Sequence, residues 1–188
     1  WEHPADRGAL VALRKLKGFD TVVKLMSGLI NERAVRLLYL GSAIRVDERQ
    51  FPVLARALKD ACLTLDAETV PELYVQADPF FNAMCIGMDK PIIVVNSAMV
   101  DLMDEEELRT VLGHEAGHVL SDHVLYRTAL MILLSLGTAG LPMMAGLPLM
   151  AVRIALLEWF RAAELSAYRA ATLVNRDPLV TSRTLMVI

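Results

Sequence analysis

The spacing of apolar residues divides the chain into helical segments at both ends and a β-rich stretch in the middle. Apolar residues recur at helical intervals over roughly 5–17, 20–40 and 51–65. Three apolar, β-branched or aromatic runs follow: ELYVQA, NAMCIGM and PIIVVNS. A turn over residues 88–90 joins the last two runs, which predicts a β-hairpin. The pattern therefore predicts an α+β chain that is mostly helical.

One predicted helix begins near Asp104 and carries the sequence HEAGH at positions 114–118. Asp104 and Glu107 form a capping pair, and their negative charge suits the N-terminus of a helix. The helix has one apolar face to bury, made by Leu108, Val111, Leu112, Val119 and Leu120. Burial of that face would hold the side chains of HEAGH in place.

HEAGH matches the zinc-hydrolase pattern HExxH. Helix positions four apart lie nearly one above the other, so the imidazoles of His114 and His118 can reach one metal ion. Glu115 lies about a third of a turn away, where it can take a proton from a metal-bound water. Chance placement would produce this pattern in roughly one of two hundred chains of this composition. The surrounding sequence therefore has to support the interpretation.

A catalytic zinc site typically has three protein ligands and an open position for water. His123 follows His118 by five residues, whereas the pattern with a third histidine needs a spacing of six and an intervening glycine. We therefore interpret His123 as a residue at a helix end or on the surface. Two carboxylates, Glu158 and Glu164, lie in the helix-like stretch LLEWFRAAELSAYRAATLV. Spacing alone does not choose between them.

Three stretches carry a resemblance to a known family: NAMCIG, PIIVVNSAMVDLMDEEELRTVLGHEAGHVLSDH and RAAELSAYRAATLV. Over about 71–178 the chain resembles the HtpX-like and CAAX-prenyl-protease type gluzincins, metallopeptidase family forty-eight. The resemblance implies a zincin-like metallopeptidase domain with a small β-sheet above the HExxH helix. It implies that His114, His118 and Glu164 bind one zinc ion. It also implies that Glu115 is the general base.

The leading segment HPADRGALVALRKLKGFD also resembles the N-terminal part of bacterial members, and we assign it no chemistry of its own. We therefore divide the chain into an N-terminal helical segment, 1–70, and a catalytic domain, 71–188. The implied function is that of a zinc-dependent endopeptidase that hydrolyses peptide bonds with metal-activated water. Its substrates would be polypeptides, including membrane or misfolded proteins.

The chain departs from the family pattern at Tyr168, where an aspartate is expected four residues after the glutamate ligand. That aspartate would accept a hydrogen bond from a ligating histidine, and losing such a partner costs roughly 10- to 100-fold in metal affinity or activity. We expect a zinc site that is present but weakened. The alternative is a catalytically weak or inactive relative that acts as a membrane-associated binding protein. In a third interpretation, HExxH occurs by chance in a helical interaction domain without metal.

Two further roles stay open at the level of sequence. The donor that stabilises the tetrahedral oxyanion is unassigned, with His123, Tyr126 and Tyr168 as candidates. By resemblance, residues 82–86 form the sheet edge that pairs with an extended peptide substrate. An ordinary sheet edge without a ligand is the alternative.

Residues 128–152 carry no charge and are bracketed by Arg127 and Arg153. Their length is typical of a membrane span, but one crossing of a core about 30 Å thick would put His118 and Glu164 on opposite sides. Two crossings would need around forty residues, and the segment is too short for that. Glycines and prolines interrupt the segment, which predicts an apolar hairpin. This hairpin either packs in the core or contacts a membrane surface.

Composition narrows the classes of partner. The formal net charge is −3, and no cluster of Lys and Arg on one predicted face indicates nucleic acid. Cys62 and Cys85 lack metal-ligand spacing, so we expect two reduced, packed thiols.

The polar opening WEHPADRG has no secretory signal pattern. We therefore expect a cytoplasmic protein associated with the cytoplasmic face of a membrane. The missing initiating methionine and the end within a helical pattern are typical of a fragment.

Overall fold

The computed structural model describes residues 1–16, 19, 37, 41–87, 90–128, 130 and 146–187, with only the backbone described for 146–149. Nearly all of the predicted helix over 20–40 lies outside these residues. The same is true of most of the predicted apolar hairpin over 128–152 and of residues 88 and 89 in the predicted turn.

The described helices are α1 (Pro4–Arg14), α2 (Pro52–Thr64), α3 (Ser97–Leu102), α4 (Glu105–Leu120), α5 (Gly146–Asn175) and α6 (Pro178–Val187). The strands are β1 (Ala43–Arg45), β2 (Glu72–Gln76), β3 (Ala83–Ile86) and β4 (Ile92–Asn96). Residues 123–128 are also helical. The predicted α+β, mostly helical fold is therefore confirmed. The pattern of apolar residues did not predict β1.

The four strands form one mixed sheet in the order β1-β2-β4-β3. β4 pairs parallel with β2 and antiparallel with β3, so the predicted hairpin between the last two runs is confirmed. All five residues of β4 are buried, as expected for a β-branched run in the middle of a sheet. β3 lies at the edge of the sheet, as the resemblance implied.

α4 begins where the sequence predicts. The Asp104 carboxylate accepts a hydrogen bond from the Glu107 amide at 2.9 Å, and the Glu107 carboxylate accepts one from the Asp104 amide at 3.0 Å. This capping box satisfies two backbone donors at the helix start. The buried face of α4 packs in one core with β4 and α5, formed by Ile93, Val95, Leu108, Val111, Leu112, Ala116, Ala170 and Val174.

α4 and α5 pack against each other through unusually small residues. A Cβ atom on Gly117 would lie 2.7 Å from the Ala170 Cβ, and one on Gly113 would lie 3.1 Å from the Val174 Cβ. Ala163, Ala167 and Ala171 add further small, fully buried positions on α5. Because glycine has no side chain and alanine has only a methyl group, α4 and α5 approach each other closely. Polar residues of the two helices can then share one site.

α1 packs on a different part of α5. Leu13 of α1 lies in a second apolar cluster with Leu156, Trp159 and Ala163 of α5. The cluster also includes Tyr126. The N-terminal helix is therefore held against the same long helix that packs on α4.

Among the described residues, no helix is both long and apolar enough to cross a membrane. α5 starts at Gly146, inside the predicted apolar segment, and continues to Asn175. The end of the apolar segment therefore belongs to the helix that carries Glu164.

We expect Gly117→Ala to lower the free energy of unfolding by about 1–3 kcal/mol, because the added methyl would overlap Ala170. Gly8→Ala is the matched control in α1, since its Cβ would meet no atom within 4 Å. Gly8→Ala should raise the free energy of unfolding by roughly 0.5–1 kcal/mol, through the helix propensity of alanine. Urea denaturation measures both values. Equal effects of the two substitutions would contradict the close contact of α4 with α5.

Candidate metal centre

Three ligand-type side chains from two helices converge beside the α4–α5 contact. The Nε2 atoms of His114 and His118 lie 3.1 Å apart. Two oxygens of Glu164 on α5 face them, Oε2 at 3.2 Å from His114 Nε2 and Oε1 at 3.4 Å from His118 Nε2. The structure thus brings together the two histidines of HEAGH and the glutamate chosen by resemblance.

The spacing and chemistry of this group fit a zinc ion. In a tetrahedral site with zinc–ligand bonds of about 2.0–2.1 Å, neighbouring ligand atoms lie roughly 3.3 Å apart. The three observed separations, 3.1, 3.2 and 3.4 Å, bracket that value. Two imidazoles and one carboxylate are also a known ligand set of catalytic zinc. The group can therefore hold a metal ion.

Glu158, the other carboxylate that the sequence offered, lies away from this group. Its side chain is 65% exposed and pairs with Arg161 at 3.2 Å. Glu158 and Glu164 are six residues apart, so they point in different directions from the same helix. Tertiary packing, rather than spacing in the sequence, separates these two candidates.

The protonation states of the group are those that a metal requires. Burial lowers the pKa of His118 to about 4, so its imidazole is neutral near pH 7. Burial would raise the pKa of Glu164, but hydrogen bonds from His114 and His118 outweigh it and hold this pKa well below its ordinary value. A neutral imidazole and an ionised carboxylate are the forms that bind metal.

Glu115 lies buried beside the group, with both of its side-chain contacts on one oxygen. Cys85 Sγ of β3 lies 2.9 Å from Glu115 Oε2, and Arg127 Nη1 lies 3.8 Å from the same oxygen. Burial and the charge of Glu115 raise the pKa of Cys85 well above its ordinary value. The thiol therefore stays protonated and can donate a hydrogen bond to Oε2. Among the described residues, no side chain makes a hydrogen bond or ion pair with Oε1.

A cavity of about 190 Å³ opens onto these residues and reaches the edge strand. Its lining includes Asn82, Ala83, His114, Glu115, Arg127, Glu164 and Tyr168. A larger groove, about 720 Å³, runs past Arg14, Glu72 and Lys90, and its lining includes none of the three ligand-type residues. The smaller cavity is therefore the one that carries the chemistry.

Tyr168 occupies the position where the family pattern has aspartate. Its ring centroid lies 5.0 Å from that of His114, with the planes tilted by 48°. Burial and the nearby Glu164 charge raise the pKa of the phenol, so Tyr168 is uncharged near neutral pH. It packs against a ligand-type histidine without supplying a carboxylate.

The structure decides between the two positions expected for His123 and separates the oxyanion candidates. His123 begins the helical stretch 123–128, so the expected helix end is confirmed, and it is only 1% exposed, so it does not lie on the surface. Its Nδ1 lies 3.0 Å from His118 Nδ1, on the side of His118 away from Glu164. Tyr126 accepts hydrogen bonds from Arg14 in the second apolar cluster. Of the three candidates, Tyr168 lines the cavity.

Sequence reasoning missed several groups around the site. Arg127 was noted only as a flank of the apolar segment, yet its buried Nη1 lines the cavity and has no hydrogen-bond partner among the described residues. Cys85 was expected to be a packed thiol, and it is indeed free and buried, as is Cys62. Asp6 was given no role, but it contacts His123. The sequence offers one signal for such groups, which is a polar residue within a segment of apolar periodicity. This signal does not show which distant residue the polar group contacts.

Comparison with known proteins agrees with this geometry. The description "Peptidase family M48" matches residues 48–186. The chain therefore belongs to peptidase family M48, a family of metallopeptidases, which confirms the resemblance drawn from the sequence. No solved structure matches the chain.

Individual relatives are similar over different extents. A plastoglobule-localized metallopeptidase 48, chloroplastic, from Arabidopsis thaliana is 35% identical over 188 residues, which is 99% of this chain and 54% of that protein. A protease HtpX homolog from Dictyoglomus thermophilum is 30% identical over 47% of this chain and 30% of its own length. One from Lactobacillus helveticus is 30% identical over 52% of this chain and 33% of its own length. The chain thus spans about half the length of the first relative and about a third of the other two.

We expect the metal-free chain to lose stability as the pH falls from about 6.5 towards 4. His118 has a folded pKa of about 4 and an ordinary value of 6.5, so in this range the unfolded state binds the proton more readily. The loss is on the order of 3 kcal/mol at its limit. The lowered pKa of Glu164 acts in the same direction below its ordinary value of 4.5.

Urea denaturation in the presence of a chelator at pH 7 and pH 5 measures this effect. His118→Gln should reduce the difference between the two pH values, because the titrating imidazole is gone. His3→Gln, which removes an imidazole outside the ligand group, should preserve it. An equal free energy of unfolding at both pH values in the wild-type chain would contradict a buried neutral His118.

Proposed function

We propose that the chain contains the catalytic domain of a zinc-dependent endopeptidase. His114, His118 and Glu164 hold one zinc ion, and Glu115 is the general base. The observation that carries the proposal is the convergence of these three side chains beside a buried carboxylate. Membership in a metallopeptidase family supports it. We also propose that residues 71–188 form the catalytic domain and residues 1–70 an N-terminal helical segment.

A bound zinc ion supplies Lewis acidity, which lowers the pKa of a water and polarises the scissile carbonyl. Glu115 accepts the proton of the attacking water on Oε1 and delivers it to the leaving amine. The Cys85 thiol donates to Oε2 at 2.9 Å and the Arg127 guanidinium lies 3.8 Å from the same oxygen, which would favour one orientation of the carboxylate. Donors in the cavity that can stabilise the developing oxyanion are the Arg127 guanidinium and the Tyr168 phenol.

The edge strand β3 is the proposed binding site for an extended polypeptide. The Asn96 amide donates to the Asn82 carbonyl, which makes these two residues a bonded pair of the antiparallel ladder. Bonded and non-bonded pairs alternate, so the amides and carbonyls of Ala83 and Cys85 point away from β4. Ala83 also lines the cavity. A substrate strand paired with these groups would run past the ligand cluster.

The finer points of the function rest on the sequence and the relatives. We propose that the substrates include membrane or misfolded proteins and that the chain works at the cytoplasmic face of a membrane. The uncharged segment 128–152 and the similarity to protease HtpX homologs support this.

Glu115→Gln and Glu164→Gln should have different effects if these roles are right. Glu115→Gln should reduce peptidase activity on an unfolded protein substrate by at least about 100-fold, because the proton acceptor is lost, while zinc content stays near one ion per chain. Glu164→Gln should lose zinc together with activity, because a ligand is lost. Activity assays and elemental analysis after dialysis measure both quantities.

Glu158→Gln is the matched control, since it changes an exposed carboxylate on the same helix and should retain zinc and activity. Zinc retained by Glu164→Gln would contradict the ligand assignment. A wild-type chain that binds zinc and cleaves nothing would instead favour the non-catalytic alternative raised by Tyr168.

Ala83→Pro tests the role of the strand edge. Proline removes one outward amide donor, which is worth about 1 kcal/mol or roughly fivefold in KM for an extended substrate. The sheet should keep its stability, because proline is tolerated where the amide faces solvent on an edge strand. Met84→Pro, one residue along, removes a donor to β4 and should destabilise the fold. An unchanged KM in Ala83→Pro would contradict pairing of substrate with β3.

A further inference from the structure

Behind the ligand group lies a buried chain of polar side chains that ends on the N-terminal helix. His118 Nδ1 lies 3.0 Å from His123 Nδ1, and His123 Nε2 lies 2.8 Å from Asp6 Oδ2. Ser166 Oγ on α5 donates to the same Asp6 oxygen at 2.6 Å. His123 and Asp6 are only 1% and 3% exposed, so water does not replace these contacts. The chain of contacts joins α1, α4 and α5 through one carboxylate.

The protons in this chain can be assigned from the ligand group outwards. His118 directs Nε2 towards His114 and Glu164, so a metal-binding His118 keeps its proton on Nδ1. His118 then donates to His123 Nδ1, which places the proton of a neutral His123 on Nε2. From there His123 donates to Asp6. Each contact in the chain is then one hydrogen bond with a defined donor.

The carboxylate at the end of the chain is ionised. Burial opposes its charge, but hydrogen bonds from His123 and Ser166 outweigh that effect and hold the pKa of Asp6 below its ordinary value. Among the described residues, His123 and Ser166 are the side chains that hydrogen-bond to Asp6 Oδ2. A buried carboxylate is stabilised by partners that share positive charge, and a metal on His118 would supply that charge through two imidazoles.

Asp6 places a carboxylate near the ligand group, whereas the carboxylate of the family pattern is absent at Tyr168. A carboxylate that accepts a hydrogen bond from a metal-binding histidine fixes the ring orientation and raises its basicity. Tyr168 is uncharged near neutral pH, so it cannot accept a hydrogen bond from His114 as a carboxylate would. Asp6 reaches the other histidine, His118, from 112 positions earlier in the chain, with one imidazole in between.

We propose that Asp6 is a positioning residue of the metal centre, which acts through His123 to fix the orientation and tautomer of His118. The N-terminal helix thereby sets the affinity of the site for zinc. The inference rests on the proposed function for the assignment of His118 as a ligand. A merely structural role for Asp6 would be to anchor α1 on α5, and the experiment has to separate the two.

The test measures zinc affinity of the full chain by competition with a chromogenic chelator. Asp6→Asn keeps the size of the side chain and an acceptor oxygen but removes the charge. We expect it to weaken zinc binding by about 10- to 100-fold. Leu13→Ala is the matched control, because it removes a buried side chain from the same helix without touching Asp6 or His123. We expect its zinc affinity to stay within about twofold of the wild-type value.

Two results on variants would overturn the inference. One is zinc binding by Asp6→Asn within about twofold of wild type; the other is an equal loss in Leu13→Ala, which would assign Asp6 a purely anchoring role. A wild-type chain that binds no zinc would overturn the proposed function and this inference together. A zinc-binding wild type with an unaffected Asp6→Asn variant overturns this inference alone.

A measurement on the wild-type chain keeps the test independent of whether Asp6→Asn folds. Nitrogen-15 NMR of the zinc-loaded, histidine-labelled protein reports which ring nitrogen carries each proton. We expect His123 to carry its proton on Nε2 and to have an unprotonated Nδ1. The opposite tautomer would leave His123 unable to accept from His118 and would overturn the proposal.

Discussion

The close contact of α4 with α5 is the constraint on which the site depends. Each histidine of HEAGH has a glycine directly before it, Gly113 and Gly117, and a Cβ atom at either position would lie 2.7–3.1 Å from a side chain of α5. Ala170 faces Gly117, and Val174 and Ala171 face Gly113. Larger residues at this contact would separate the imidazoles from Glu164 by an ångström or more, a distance that a metal bond does not tolerate. The helix that carries His114 and His118 therefore also supplies the packing surface that brings Glu164 close to them.

Burial gives the site its electrostatic character. The imidazole of His118 is kept neutral by the apolar core around it, and Glu164 is kept ionised by the hydrogen bonds it accepts. Without a metal, this arrangement holds a carboxylate and nearby ring nitrogens in little water, which costs stability. A bound cation would offset that cost, which would couple metal binding to folding in this part of the chain.

The polar groups around the ligands come from every layer of the fold. β3 supplies Cys85 to the proposed base, residues 123–128 supply His123 and Arg127, and α1 supplies Asp6. Each occupies a position whose neighbours in sequence are ordinary core or surface residues. Cys85 and Arg127 lie next to Glu115, His123 lies next to His118, and Asp6 reaches His118 only through His123. The N-terminal helix thus contributes a buried carboxylate to the surroundings of the candidate centre.

Local patterns determined much of this protein from the sequence alone. The capping pair at Asp104, the apolar face of α4 and the i, i+4 placement of His114 and His118 depend on residues within a few turns. The helix and the closeness of the two imidazoles were therefore predictable. The alternating and β-branched runs likewise predicted three of the four strands and the β3–β4 hairpin. Between Glu158 and Glu164, only resemblance to a family gave a choice, because both lie on one helix at similar distance along the chain.

Tertiary structure alone decided the contacts that join segments far apart. Asp6 meets His123 across 117 positions, and Cys85 meets Glu115 across 30. His123 was expected at a helix end or on the surface, and only the tertiary structure shows that it is buried against His118. Such contacts depend on how helices and strands pack, and the packing energy comes from interactions across the whole core. A short stretch of sequence therefore does not determine them.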